Sequence, residues 1–391
     1  MKQKKKILAV TGIRSDYDIL FPVLDESRKK GHKVSVVVSG AHLSEQFGLT
    51  VKNIVADGFE IADRIDTLFS TDRSTQRSKG VGSLITGLSQ TIERLQPDML
   101  VYVGDREEGL AAAIVANYSE TLLLHICGGD PVWGNSDDPV RFAISKLAHI
   151  HCVTHTDHAK NLLNIGEEKF RIFHTGNPSY VNIDNIKHLC HDEVFSSLKI
   201  PLSCKNYIIL IQHPLSSEYK QADSQIKTSL AALEKFCIKN NFFVISIASN
   251  SDPGSEAIRN IISSYKDKKW FFSFDSLERE IFINLIRNAK ALVGNSSMGI
   301  LEAPHYKLPV VNIGNRQMGR LNAGNVEFVE HDINKIILAI EKACFDKNYR
   351  KRIANITNPY GDGSAAKKIV EVIEDIDICD RNWYVKRKLV P

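Results

Sequence analysis

A chain of 391 residues exceeds what one ordinary hydrophobic core organises, so two domains are expected. Its apolar share of 43% and charged share of 25% are those of a globular protein in water. The net charge of +4 suits an anionic ligand; with no basic run interleaved with aromatics, it gives no reason to expect nucleic acid. No apolar run approaches membrane-spanning length. Lys2–Lys6 is basic but leads straight into an apolar strand without a signal-peptide pattern, so a cytoplasmic protein is expected. Seven cysteines are scattered with no CxxC pair. Cys127, Cys152, Cys237 and Cys344 lie in apolar surroundings and read as reduced core residues rather than disulfide or zinc partners.

Lys6–Thr11 reads as a strand of continuous apolar character, the mark of a parallel sheet covered on both faces. Gly12–Tyr17 reads as a polar turn, Ile19–Lys30 as a helix ended by Gly31, and Lys33–Ser39 as the next strand. The GxGxxG fingerprint is missing from that first turn, so no dinucleotide cofactor is expected. Ser39–Gly48 is a loop. Ile65–Gly80, with Thr71–Ser74, is irregular and polar and is expected to form a mobile flap; Val81–Arg94 is a helix. Met99–Val103 and Leu122–Leu124 are short buried strands flanking a helical stretch, Gly109–Asn117. Gly104-Asp105-Arg106 breaks the first strand and Gly128-Gly129-Asp130 the second, which places acids at two strand ends. Open α/β sheets bind ligands there. A helix over Asp138–Leu147, a strand over His149–Val153, a helix over His155–Ile165 and a strand over Arg171–Thr175 complete a first domain of about six parallel strands.

Gly176–Ile183 is turn-rich and is the expected crossover. A second cycle follows, with strands over Tyr207–Ile211, Phe242–Ala248, Trp270–Phe274, Ala291–Gly294 and Pro309–Ile313. Its helices are expected over Gln225–Lys239, Glu256–Lys266, Leu277–Asn288, Met298–Tyr306 and Ile333–Asn348. Ala365–Ile376 is the final helix. Two rounds of alternating strand and helix give an α/β fold class with two doubly wound Rossmann-like domains facing a cleft. The expected division is 1–180 and 181–364, with 365–391 packing back onto the first domain.

Val293–Ala303 is the most informative stretch of the second half. A strand ends at Gly294, Ser296 and Ser297 offer hydroxyls, and a helix start at Met298-Gly299 offers unpaired N–H groups suited to phosphate. Glu302 could take two vicinal ribose hydroxyls; the plainer reading is a serine cap and a solvated glutamate. Arg316 and Arg320 sit on a glycine-rich loop after the next strand and suit a diphosphate, or are simply solvated. His213 ends the first strand of the second domain, and Arg14 lies in the first turn of the first. Asp105, Asp130, Asp137 and Asp138 are candidates for acid–base work on a sugar carbon. Their plain reading is an ion pair with Arg106, a turn and a helix cap. His125, His149, His151, His155 and His158 invite a metal reading, but no recognised ligand spacing accompanies them and no metal site is expected.

Taken together and in order, Thr11–Tyr17, Ser39–Leu43, Gly104–Arg106, His125–Asp130, Val293–Ser297 with Gly299 and Glu302–Pro304, Asn312–Gln317 with Gly319-Arg320, and Asn358–Gly363 resemble the hydrolysing UDP-N-acetylglucosamine 2-epimerases. The resemblance runs over nearly the whole chain. It implies a fold of the GT-B type and conversion of UDP-N-acetylglucosamine and water to N-acetylmannosamine and UDP. The implied route passes through a 2-acetamidoglucal, uses no cofactor and feeds the synthesis of sialic-type acids. Asp105, Asp130, Asp137 and Asp138 fall at the family's catalytic carboxylates, with His213 added to the catalytic set. Arg14, Ser296, Ser297, Gly299, Glu302, Arg316 and Arg320 are the implied UDP contacts. His42, Arg106, Trp133 and Phe142 are the residues expected beside the sugar. A homodimer or dimer-based assembly is implied.

Some residues depart from the family pattern. Cys127 and Asp130 stand where His-Ile-His-Gly-Gly-Glu is usual, and Phe142 where histidine is usual. These changes are expected beside the sugar, not the nucleotide. They keep open a related substrate, UDP-N,N'-diacetylbacillosamine, for which Trp133 and Phe142 would form an apolar wall. A non-hydrolysing epimerase, a retaining glycosyltransferase of the same fold and a non-catalytic UDP-sugar-binding module are the other readings.

Overall fold

Continuous apolar runs in each half of the chain become the central strands of two parallel sheets. The computed structural model describes residues 3–69, 75–132, 137–180, 183, 186–249 and 252–386. Two compact units emerge: Met1–Pro131 with Asp137–Val181 and Tyr360–Pro391, and a second built chiefly from Asn182–Pro359.

The first unit opens with β1 (Lys6–Thr11), α1 (Arg14–Lys29), β2 (Lys33–Ser39), α2 (Val51–Ala56), β3 (Glu60–Ile65) and α3 (Gln76–Leu95). It continues with β4 (Met99–Val103), α4 (Glu107–Tyr118), β5 (Leu122–Ile126), α5 (Asp137–Leu147), β6 (Ile150–Val153), α6 (Thr156–Asn164) and β7 (Ile172–His174). The sheet runs β3-β2-β1-β4-β5-β6-β7, all parallel. Seven strands therefore stand where about six were expected. The additional strand, β3, is a charged, half-buried edge, which lacks the apolar run that reveals a central strand. Along β1, Ile7 and Ala9 pack with Leu20, Val23 and Leu24 of α1, while Leu8 and Val10 face Leu88 of α3 and Ala112 of α4. Successive strand residues point to opposite faces, so a strand covered on both must be apolar throughout.

The second unit holds α7 (His191–Ser197), β8 (Tyr207–Ile211), α8 (Ala222–Asn240), β9 (Phe243–Ile247), α9 (Ser255–Ser263), β10 (Phe271–Phe274) and α10 (Arg279–Asn288). Next come β11 (Ala291–Gly294), α11 (Met298–Leu301), β12 (Val310–Ile313), β13 (Val326–Val329), α12 (Ile333–Phe345) and α13 (Lys347–Ala354). Its parallel order is β10-β9-β8-β11-β12-β13. The half-buried edge strand β13 also escapes a search for apolar runs.

The strand order of each sheet reverses once, between β1 and β4 and between β8 and β11. Connections leave opposite sides of the sheet there, which opens a crevice at the carboxyl ends. Asp105 follows β4, and His213 and Ser296 follow β8 and β11.

Among the boundaries that differ from the expected ones, α3 starts at Gln76 rather than Val81, so Gln76–Gly80 of the expected flap are helical, and three others have a plain local cause. α1 starts at Arg14 rather than Ile19: Ile13 is extended, Tyr17 N–H bonds the Ile13 carbonyl at 3.1 Å, and the acid Asp16 sits in the first turn. α11 is one turn, not a helix to Tyr306, because Pro304 disfavours helical backbone in the residue before it. Asp346 splits the last long helix, its carboxylate accepting from Tyr349 N–H at 2.9 Å to cap α13. Thr71–Ser74 of the expected flap lies outside the described residues, as do Val181 and Asn182 of the expected crossover.

The chain end returns to the first unit. α14 (Ala365–Asp375) buries Ala366, Ile369, Val370 and Ile373, at helical spacing, in the cluster that holds Leu20 and Leu24. The buried Lys5 donates from Nζ to the Ile373 carbonyl at 2.6 Å, a cation at a helix C-terminus. Arg171, fully buried, donates to the carbonyls of Asn382, Trp383 and Val385. Lys386 meets Glu167 at 2.7 Å, and the buried Glu167 also pairs with His151 at 3.0 Å and Lys146 at 3.1 Å. No described helix is long and apolar enough to cross a membrane.

Burial would raise the Glu167 carboxyl, but His151 and Lys386 outweigh it and hold it at about 2. Its folded pKa is thus below the ordinary 4.5, so this stabilisation is full above about 4.5 and lost as pH falls toward 2. Glu167→Ala takes the counter-charge from Lys386, which among the described residues keeps only the Ser145 and Lys146 carbonyls, and is expected to cost about 3–5 kcal/mol at pH 7 in urea unfolding, the gap from wild type closing below pH 4. A loss under about 1 kcal/mol at pH 7 would show that the cluster does not anchor the tail.

Candidate active site

Asp105 is placed by a backbone device. Gly104 ends β4 in the left-handed region, φ +94°, which an L side chain rarely adopts. Its carbonyl accepts from His125 Nε2 at 2.7 Å, and Ser145 Oγ lies 3.1 Å from His125 Nδ1. Burial pushes His125 down to about 3, so the ring is neutral; a carbonyl only accepts, so Nε2 carries the proton and Nδ1 takes that of Ser145. His125 is therefore a strut beneath Asp105.

Arg141 joins the acids. Its Nη2 is hydrogen-bonded to Asp105 Oδ2, its Nη1 donates to the Cys127 carbonyl at 2.8 Å, and Nη1 lies 3.8 Å from Asp130 Oδ2. Burial works against its charge, but Asp105 and Asp130 prevail and raise its pKa. One face of α5 buries Asp137, Arg141, Ile144 and Ser145, the 4-residue spacing of stacked helical neighbours. Asp137 and Asp138 open that helix, and Asp137 accepts from Arg77 Nη2 at 3.0 Å. The same Arg77 nitrogen donates to Glu107 at 2.6 Å. Asp130 is buried, with His158 Nε2 3.5 Å from its Oδ1. Phe142 is half-buried on α5, and Trp133 lies outside the described residues.

Other candidates of the first unit are engaged locally. His42 is fully buried, with Nε2 3.1 Å from Thr11 Oγ1 and Nδ1 2.7 Å from Thr50 Oγ1, so both ring nitrogens have hydroxyl partners. Burial lowers it to about 4 and keeps it neutral. Arg14 heads α1, 3.8 Å from Asp18. Arg106 lies 3.4 Å from Glu107 and 3.6 Å from Glu108.

Glu108 was not expected to matter. Its carboxylate is buried where Cβ atoms of Gly12 and Gly40 would stand, 1.9 and 2.9 Å from those positions; a side chain at Gly12 would have to displace Glu108, and one at Gly40, φ +55°, would also meet the Gly12 carbonyl oxygen at 2.8 Å. Burial and then Glu107 raise Glu108 to about 7, while Glu107, despite burial, is held at about 2 by Arg106 and Arg77. Burial raises the nearby Asp16 strongly.

In the second unit the organiser is Asn295. Its Oδ1 accepts from His213 N–H at 2.7 Å, and its Nδ2 donates to the His213 carbonyl at 2.8 Å. Its own carbonyl accepts from Arg316 Nη1 at 3.0 Å and Gln317 Nε2 at 3.2 Å, and Gln317 Oε1 accepts from Arg320 at 2.8 Å. Asn295 thus knits the loops after β8, β11 and β12, by its side chain on one side and its main-chain carbonyl on the other. Gly294, at φ +127°, would drive a Cβ to 2.0 Å from the Ile211 carbonyl oxygen. A Cβ on Gly299 would stand 2.8 Å from Val310. Burial and Arg316 push His213 well down, so its ring is neutral; Nδ1 lies 3.4 Å from Ser249 Oγ. Ser296 Oγ accepts from Met298 N–H at 3.4 Å, Ser297 precedes α11, and Glu302 follows it half-buried. With one turn, α11 carries less dipole than the longer helix expected.

Sequence reasoning missed Arg77, Glu108, Arg141, His158 and Asn295 as site residues. Arg141 carried a readable signal, a cation four residues after Asp137 on the same helix face; Asn295 carried none beyond its place after a glycine.

Two doubly wound parallel sheets in one chain, with polar clusters at their switch points, define a two-domain Rossmann-like α/β protein of the GT-B type. The family model described as UDP-N-acetylglucosamine 2-epimerase matches residues 25–374, and the chain belongs to that family as an enzyme of the hydrolysing 2-epimerase type. The GDP/UDP-N,N'-diacetylbacillosamine 2-epimerase (hydrolyzing) of Campylobacter jejuni is 35% identical over 342 residues, 87% of each chain. The UDP-N,N'-diacetylbacillosamine 2-epimerase (hydrolyzing) of Legionella pneumophila is 32% identical over 375 residues, 96% of this chain and 97% of that one. A UDP-N-acetylglucosamine 2-epimerase of Neisseria meningitidis serogroup B is 32% identical over 342 residues, 87% of this chain and 88% of its own. Among solved structures, a UDP-GlcNAc 2-epimerase from Neisseria meningitidis bound to UDP-GlcNAc has a TM-score of 0.76 at 21% identity, covering 94% of this chain and 99% of that one. At that identity it shows the shared fold.

Two measurements test this geometry. Asn295→Ala removes its hydrogen bonds to the His213 N–H and carbonyl, and is expected to cost about 1–3 kcal/mol, with reduced hydrogen-exchange protection at the His213 amide. Glu108, raised from 4.5 to about 7, contributes stability that is full below about 4.5 and lost as pH rises through 7. Glu108→Gln is therefore expected to melt higher than wild type at pH 8, with the two converging near pH 5. A variant melting lower at pH 8 would show that the carboxylate form is favoured.

Proposed function

We propose that the enzyme cleaves a UDP-2-acetamidohexose with inversion at C2, releasing UDP and the free sugar. The observation that carries this reading is the pairing of Asp105 and Asp130 across Arg141 at neighbouring strand ends. The shared cation gathers the two acids at one point, and a carboxylate is the group that proton abstraction beside an amide-bearing carbon requires. A carboxylate removes the C2 proton, the C–H electron pair becomes the C1=C2 bond, and the C1–O bond breaks with its pair leaving on the UDP phosphate. Water then adds its oxygen to C1 while C2 takes a proton from the opposite face, and the remaining water proton passes to a carboxylate. The sequence is redox-neutral and needs no nicotinamide. Asp105, Asp130 and the Asp137/Asp138 pair supply the acids and bases; Arg106 and Phe142, with His42 and Trp133, are assigned to the sugar.

The nucleotide is assigned to Arg14, Ser296, Ser297, Gly299, Glu302, Arg316 and Arg320. His213, neutral, donates or accepts beside the phosphates without adding charge. Arg316 and Arg320 are held by the Asn295–Gln317 hydrogen bonds rather than left mobile, which lowers the entropy lost on binding an anion.

For the sugar, N,N'-diacetylbacillosamine is the better supported choice. The relatives at 35% and 32% identity carry that name, and Cys127, Asp130 and Phe142 depart together from the N-acetylglucosamine pattern. Phe142 would face the C6 methyl that this sugar has in place of a hydroxyl. The Neisseria meningitidis relative favours UDP-N-acetylglucosamine as the second reading. Either product would feed synthesis of acidic nine-carbon sugars, in a cytoplasmic homodimer.

Incubation with each nucleotide sugar in heavy water is expected to release UDP and a sugar deuterated at C2, faster with the diacetylated one. A transferase would leave C2 undeuterated, and a non-hydrolysing epimerase would not accumulate UDP. Asp105→Asn and Asp130→Asn are expected to lower kcat about 10²–10⁴-fold with UDP affinity unchanged. An unchanged rate in either variant removes that residue from the chemistry.

A further inference from the structure

Asp130 has a second neighbour that the reaction scheme leaves idle. His158, on α6, is buried, with its Nε2 3.5 Å from Asp130 Oδ1 and its Nδ1 2.8 Å from Thr154 Oγ1. The loop before Asp130 is built to reach α6. Gly129 lies at φ +75°, and a Cβ there would stand 2.4 Å from the His158 carbonyl oxygen. The Gly129 carbonyl accepts from Asn161 Nδ2, one turn further along α6, at 2.9 Å. Only glycine lets the loop press so close, and that approach brings an aspartate beside the imidazole. The family's usual glutamate is one methylene longer, so fixing the shorter side chain falls to its neighbours.

We propose that His158, oriented by the Thr154 hydroxyl, is a positioning residue that holds the Asp130 carboxylate for proton transfer at the sugar. This rests on the reading of Asp130 as a reaction acid or base. A carboxylate only accepts, so the imidazole nitrogen facing it carries the proton. In the neutral ring Nδ1 is then bare and takes the Thr154 hydroxyl proton, which fixes the tautomer. The 3.5 Å separation is long for a hydrogen bond and suits a contact that tightens when substrate is bound.

Several charged or titratable groups surround the pair. Arg141 of α5 faces Asp130 from the other side at 3.8 Å and ties it to Asp105. The rings of His155 and Tyr360 stand 5.9 and 6.0 Å from that of His158, and the exposed Asp157 is its neighbour on α6. Arg141 supplies charge to both acids, whereas His158 stands beside Asp130, so changing it addresses Asp130 rather than Asp105.

The test compares His158→Phe, His158→Gln and Thr154→Val by kcat, KM and the pH profile of UDP release. Loss of the Nε2–H donor destabilises the carboxylate, so the limb of the profile that belongs to Asp130 moves up by about one pH unit in His158→Phe, and less in Thr154→Val. In His158→Phe kcat falls about ten- to a hundredfold while KM holds, the scale of one lost hydrogen bond to a charged group. His158→Gln, which keeps an N–H donor, recovers most of the rate. A limb unmoved in both His158→Phe and Thr154→Val, or a Gln variant as impaired as Phe, overturns the proposal. The same shift is read without turnover, from the titration of the Asp130 carboxyl in ¹³C-aspartate-labelled protein, assigned with Asp130→Asn. That midpoint must rise in His158→Phe even if neither sugar nucleotide is the substrate, so failure here and failure of the functional reading are distinct outcomes.

Discussion

The guanidinium of Arg141 is the constraint on which the acidic centre depends. Like charges at adjacent strand ends repel, and a cation between them offsets that cost. Arg141 removes that penalty for Asp105 and Asp130 together and anchors itself on the Cys127 carbonyl. The arrangement closes on itself. The helix that delivers Arg141 also delivers Asp137 at its start and Ser145 a turn later, and Ser145 holds the His125 that holds the Gly104 carbonyl. The backbone under Asp105 and the cation over it are therefore set by one helix face. A buried ion pair of this kind adds little to stability, because desolvation offsets most of its attraction. Its value lies in fixing which charges stand where.

The second unit solves a different problem by different means. Its site is read as receiving an anion, so the groups to be positioned are arginines and N–H groups. Asn295 uses a neutral amide to pair with both polar groups of the His213 backbone and offers its carbonyl to the loop of Arg316 and Gln317. An acid in that place would have spent the arginines' charge inside the protein. The division of labour follows: salt links position the acids of the first unit, and neutral hydrogen bonds position the cations of the second. The departures at Cys127 and Asp130 fall within the first arrangement only, in keeping with their proposed place beside the sugar.

The sequence by itself determined the two α/β cycles and the family. Central parallel strands must be apolar on both faces, and Met99–Val103, Tyr207–Ile211 and Ala291–Gly294 announce themselves for that reason. The acids after Gly104 and Gly129 and the serines after Gly294 were legible because strand ends are where such folds bind ligands. The edge strands β3 and β13 were not, since a half-buried edge has no continuous apolar run. Nor was the start of α1, whose first turn is polar. What only tertiary structure decided is partnership. That Arg141 serves Asp105, that His42 is taken up by two threonines, that Glu108 fills the hollow left by Gly12 and Gly40, and that Asn295 binds three loops all depend on residues 8 to 96 positions apart. Local periodicity encodes which face of an element is buried; it carries no record of which polar group waits on the far side of the sheet.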